Sequence, residues 1–150
     1  FICFSGEELG LLGSAYYSAN PGIDLKNVTC MINMDMVGRL KKDEPVLEVS
    51  GIGTAPEWKS ILDKFQSKAL KIQMDSAGVG PSDHTSFYNK DIPVLHFFTG
   101  THSDYHKPSD EFATLDIANM TQIVKAIAKS AQSIISGKDT PTRVDTTQLK

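Results

Sequence analysis

Long apolar runs are missing from this chain. No hydrophobic stretch approaches the length needed to cross a bilayer, and no charged n-region followed by an apolar core marks a secretory leader. Basic clusters are missing too: the longest block of Lys and Arg is the pair Lys41-Lys42, and the net charge is −3. A nucleic-acid partner or an anionic membrane surface therefore has no electrostatic footprint here. Cysteine is scarce, with only Cys3 and Cys30, and both fall in apolar runs that read as buried strands. Two reduced core thiols acting as small hydrophobes is the plain reading, and it leaves the compartment open. There is no internal repeat and no initiator Met; the chain opens inside what reads as a strand, which predicts a piece of a longer protein.

What is present alternates between short apolar runs and helical spacing. Phe1–Phe4, Val28–Met36, the weaker Val46–Val49 and Pro93–Phe98 read as strands, mostly buried on both faces. Leu9–Ser18 reads as a helix with Leu12, Ala15 and Tyr16 on one face, ended by "NPG" at Asn20–Gly22. Pro56–Ser67 reads as a second helix, with Pro in its first turn and Trp58, Ile61, Leu62 and Phe65 on one side. "SAGVGPSDHTSF" is a glycine-rich loop entering a short helix, with Ser82 or Asp83 as the N-cap. A long helix follows over about Leu115–Ser136, its spacing set by Ile117, Met120, Val124, Ile127, Ala131 and Ile134. Gly137 ends it, and residues 138–150 read as a polar, loose tail after a domain spanning 1–137. This alternation predicts an α/β sandwich around a mixed, largely parallel central sheet.

In such sheets, ligands gather where strands end in loops on one edge. The chemistry-bearing residues fall there: Glu7 and Glu8 after the first run, Asp35 at the end of the second, and His102 to His106 after "PVLHFF". The adjacent acids Glu7 and Glu8 would also suit the positive N-terminal end of a helix. The wider grouping of Glu, Asp and His at strand ends points instead to a metal site, because zinc takes carboxylate oxygen and imidazole nitrogen. Two neighbouring glutamates can then divide the work, one as ligand and one as proton acceptor.

"FSGEELGLLGS", "NMDMVGR", "GPSDHTSF" and "DYHKPSD", in this order, resemble the second half of the catalytic domain of the M28 family of zinc metallopeptidases, with its bacterial aminopeptidase branch nearest. The likeness covers Phe1 to about Gly137 and implies a three-layer α/β sandwich of the zinc-exopeptidase kind. It implies that Glu7 is the general base, that Glu8 and Asp35 bind one zinc, and that His106 binds a second. Tyr105 would direct its hydroxyl at the oxyanion, and Asp83 and His84 would support the pocket wall. His102 reads as a solvated loop residue and His96 as a core histidine.

The family's two-zinc site also uses a histidine from an upstream H-x-D motif and a bridging aspartate, and Phe1–Gly6 is all that precedes Glu7 here. The expectation is a fragment of an aminopeptidase acting on peptides with a free N-terminus, truncated on its N-terminal side and inactive alone. An open sheet edge and uncovered apolar surface would favour self-association. Two other readings share the architecture: a glutaminyl-cyclase-like aminoacyltransferase with one zinc, and a receptor-like domain without catalysis. A periplasmic or secreted setting is what the resemblance implies.

Overall fold

A computed structural model of the chain describes residues 1–150 except 42, 44, 65, 67–69 and 145–150. Four strands, β1 (Met31–Met34), β2 (Val46–Ser50), β3 (Lys71–Met74) and β4 (Val94–Phe98), form one sheet in the order β1-β4-β2-β3. β1 pairs with β4 in parallel and β2 with β3 in parallel, while β2 meets β4 antiparallel. The sheet is thus mixed and mostly parallel, as expected. Four helices accompany it: α1 (Leu12–Ala19), α2 (Trp58–Asp63), α3 (His84–Tyr88) and α4 (Ile117–Ile135). Among the described residues no helix is long and apolar enough to cross a membrane.

The side-chain period of two divides the strands between layers. Leu47 and Val49 of β2 and Leu95 and Phe97 of β4 join Trp58, Ile61, Leu62, Ile123 and Ile127 in the main core, under α2 and α4. Val94 faces the other way, with Ile92 and Phe87, into a smaller cluster that Phe4, Tyr17 and Met31 cover. His96, on the same side as Val94, stacks against His84 of α3. α4 carries the amphipathic face its spacing predicts, rotated slightly: Ile123, Ile127 and Ser130 are buried, whereas Ile117 and Val124 are each 45% exposed.

Several expected elements differ. Phe1–Phe4 forms no strand: no ladder partner lies beside it among the described residues, and isolated extended backbone leaves its polar groups unpaired. Cys3 is accordingly exposed, not buried; Cys30 is half-buried just before β1, and burial pushes its thiol up to about 11. The run Val28–Met36 shortens to Met31–Met34. Its ladder begins at the Met31 N–H bond to the Pro93 carbonyl, and Pro93 has no N–H to extend it backwards. At the other end Met36 turns into the left-handed region at φ 49°.

α1 turns the face carrying Leu12, Ala15 and Tyr16 to solvent, with Tyr16 72% exposed. It buries Ser14 and Ser18 instead, because small side chains let it approach α3 closely enough for Ser14 Oγ and Ser86 Oγ to hydrogen-bond at 2.9 Å. The helix around Trp58 is shorter than expected, and Phe65 and Ser67 lie outside the described residues. β3 was not anticipated; four residues with one polar per apolar give too brief a pattern. Beyond Gly137 the segment through Val144 makes specific contacts: Lys64 with Asp139 at 2.7 Å, Thr142 with Glu57, and Arg143 with the Leu25 and Val28 carbonyls. The remainder of the expected tail lies outside the described residues.

One buried hydroxyl ties three elements together. Thr54 Oγ1 accepts from Trp58 Nε1 at 3.0 Å and from the Val94 N–H at 2.9 Å, and its own proton reaches the Gly51 or Val94 carbonyl. Removing it strands two buried donors. Thr54→Val is therefore expected to lower the unfolding free energy by about 2 kcal/mol in urea titration, with a shift in Trp58 fluorescence.

Candidate metal centre

Glu7 and Glu8 sit on a tight 3-10 turn, Glu7–Leu9, separate from α1 rather than in its first turn. Gly6 and Gly10 flank the turn at φ 68° and 100°, conformations open to glycine at little cost. Asp35 leaves the end of β1, where its N–H still bonds the Phe97 carbonyl. Thr99 at the end of β4 donates its hydroxyl to the Met36 carbonyl, which closes the neighbouring strand end. The loop after β4 brings Tyr105 and His106 back over this edge.

Glu7, Glu8, Asp35, His96, Tyr105 and His106 all border one open cavity of about 770 Å³. Glu8 Oε1 lies 2.7 Å from His106 Nε2, joining residues 98 positions apart. Tyr105 stacks on the His106 ring with centroids 3.8 Å apart. The family resemblance implies Glu8 and Asp35 on one ion and His106 on another; in the structure Glu8 is in direct contact with His106.

The charge balance of the cavity is the local signal for a cation. Burial raises the Glu7 carboxyl above its ordinary range, and the carboxylates of Glu8, Asp35 and Asp83 raise it further, against a smaller opposing effect of His106. A divalent ion would relieve that crowding, and a carboxylate–imidazole pair suits zinc. Among the described residues no three His, Cys, Asp or Glu side chains converge closely enough to hold a metal by themselves. The donors fit part of a zinc site.

Asp83 and His84 do not border the cavity. Neither Ser82 nor Asp83 caps α3: Asp83 makes no capping bond, and Ser82 Oγ accepts from Asn33 Nδ2 at 2.8 Å. Thr85 closes that loop instead, bonding both the N–H and the carbonyl of Gly80. His84 is wholly buried with neither ring nitrogen bonded, and lies flat against His96 with centroids 4.4 Å apart. His96 is more than a core residue. It borders the cavity, its Nδ1 meets Ser50 Oγ at 3.3 Å, and its Nε2 is 4.0 Å from Asp35 Oδ2.

His102 is not solvated. Its side chain is 15% exposed and it joins Asp110 and Arg39. Arg39, which the sequence reading passed over, pairs with Asp104 at 2.7 Å and Asp110 at 2.9 Å. Its place in "NMDMVGR", four residues after Asp35, was the available signal.

Burial pushes His84 down to about 4, with the neighbouring His96 adding to the effect. Between about pH 6.5 and 4 the unfolded chain binds this proton and the folded chain does not, so stability falls as pH falls through that window. The expected loss is at most about 3 kcal/mol, read from urea midpoints across pH, and His84→Phe should flatten the slope.

The sequence profile of peptidase family M28 matches residues 1–131. The chain is 30% identical over 114 residues to leupeptin-inactivating enzyme 1 of Streptomyces exfoliatus, covering 71% of this chain and 23% of that protein. The Legionella pneumophila LapA aminopeptidase superposes with a TM-score of 0.73 at 26% identity, over 89% of this chain and 38% of its own. BSAP, a zinc aminopeptidase from Bacillus subtilis, shares the fold with a TM-score of 0.70 at 24% identity, over 86% of this chain and 34% of its own. The chain spans less than half the length of each of these relatives. On the match over residues 1–131 and the shared fold, the chain belongs to peptidase family M28.

Proposed function

We propose that this chain carries part of the active site of a zinc-dependent aminopeptidase, with Glu8 and His106 as ligands of one ion, Asp35 as a ligand of a second, and Glu7 as the general base. The observation that carries the reading is the 2.7 Å approach of Glu8 to His106, which joins two loops remote in sequence at the edge of one cavity. Membership of the peptidase family supports it, and so does the aminopeptidase activity named for the LapA neighbour.

When bound, zinc supplies Lewis-acid polarisation of the scissile carbonyl and makes water a better acid. Glu7 would take a proton from the attacking water on its carboxylate and return it to the departing amine nitrogen as the C–N bond breaks. Tyr105 would direct its hydroxyl at the developing oxyanion. The free ammonium of a peptide N-terminus would be drawn to a cavity wall that includes Glu48 and Asp75.

The test uses the longest natural protein carrying this chain, loaded with zinc and assayed on a leucine anilide and on a glutaminyl peptide. Hydrolysis of the anilide is expected. Glu7→Gln should lower it about a thousandfold with zinc content unchanged, and Glu8→Ala should lower zinc content itself. Full activity in Glu7→Gln would overturn the assignment of the base. Cyclisation of the glutaminyl peptide without anilide hydrolysis would move the protein to the aminoacyltransferase reading.

The isolated chain is also read as self-associating. β1 lies at an edge of the described sheet, near exposed Ile2, Ile23 and Met34. Light scattering over a concentration series should give a mass that rises above one chain; a constant monomer mass at high concentration would refute this.

A further inference from the structure

We propose that Arg39 is the positioning residue for the Tyr105–His106 turn, holding it against the strand end that bears Asp35. The inference rests on the reading of Tyr105 and His106 as working groups, and it concerns how the chain brings them to Glu8.

His106 adopts a left-handed backbone at φ 56°, a conformation uncommon for L side chains. The turn itself is short. Tyr105 N–H bonds the His102 carbonyl at 3.0 Å, and Lys107 N–H bonds the Asp104 carbonyl at 2.9 Å. Little apolar packing backs it, since Tyr105 is 41% exposed. Besides the contact of His106 with Glu8, what fixes the turn to the body of the protein is the Arg39 guanidinium.

Its Nη2 meets Asp104 Oδ2 at 2.7 Å, and its Nη1 meets Asp110 Oδ1 at 2.9 Å and His102 Nδ1 at 3.1 Å. Because Arg can only donate, His102 Nδ1 is the acceptor there, so the ring proton of neutral His102 sits on Nε2, facing Asp110 Oδ2 at 3.7 Å. Ser109 Oγ donates to the other Asp104 oxygen at 2.8 Å.

The near end of Arg39 is equally fixed. Gly38 accepts from the Asp116 N–H at 2.9 Å, and a side chain at Gly38 would strike Leu115. One residue thus links the segment after β1 to both arms of the loop that carries His106. A lone exposed ion pair does little, but a planar fork that engages two carboxylates and an imidazole sets direction as well as distance. Lys, with a single ammonium, cannot reproduce it.

The test uses the longest natural protein carrying this chain, first without metal. In Arg39→Met, hydrogen exchange at the Tyr105 and Lys107 amides should quicken about tenfold, with exchange at Met31 and Asp35 in the sheet unchanged. Asp104→Asn, which leaves Arg39 in place, should do the same, and the double variant should go no further than either single one. Arg39→Lys should recover part of the protection. Zinc affinity, measured by competition with a chromophoric chelator, should then fall about tenfold in Arg39→Met, in line with losses on removing groups that orient metal ligands. Unchanged exchange at Tyr105 and Lys107, or additive effects in the double variant, would overturn the role of Arg39. If that longer protein takes up no zinc while the exchange pattern holds, the metal reading fails and the positioning role stands.

Discussion

The parallel pairing of β1 with β4 is the constraint from which the site follows. It aligns Met31 with Val94 and Met34 with Phe97, so that Asp35 and the loop after Phe98 emerge side by side at one sheet edge. The Asp35 N–H still bonds the Phe97 carbonyl, and Thr99 reaches across to the Met36 carbonyl. Because both strands run the same way, their exits share an edge, and the loop from β4 has only a short path back over Asp35. The period of two along β4 then separates its tasks. Leu95 and Phe97 build the main core, while His96 faces α3 and the cavity.

That edge gathers negative charge, which a fold tolerates only with a reason. Glu7 feels Glu8, Asp35 and Asp83, and burial adds to their effect. In the loop after β4 the chain answers its acids internally. Arg39 meets Asp104 and Asp110, and His102 supports the same group. At Glu7, Glu8 and Asp35 no Lys or Arg of the described residues is paired by a salt bridge; the partners are the imidazoles of His106 and, more distantly, His96. The division between an answered cluster and an unanswered one marks where a bound cation would do most.

The second layer of helices follows a different rule from the first. Under α2 and α4 the core is built from large side chains, Trp58, Leu62 and Ile123 among them. Between α1 and α3 Ser14 meets Ser86 and Tyr17 meets Phe87, so α1 lies close while Leu12 and Tyr16 point outward. An apolar stripe in the sequence was therefore a poor guide to which face is buried. Hydroxyls that satisfy one another allowed the opposite face to pack.

Local pattern determined much of this protein from the sequence alone. The apolar runs located β1, β2 and β4, the spacing of Ile127 and Ile134 located α4, and glycine with polar residues located the loops. The placing of Asp35 at the end of β1 and of His106 in the loop after β4 followed from those boundaries, since the residues beside a strand exit are read directly from the chain. Tertiary structure alone decided what depends on register and approach across long separations. It denied Phe1–Phe4 a partner and so a strand, turned α1 over, and laid His84 against His96. It also drew Arg39 to Asp104 and Glu8 to His106, because contacts spanning 65 and 98 residues are set by how strands align in space, which no local periodicity encodes.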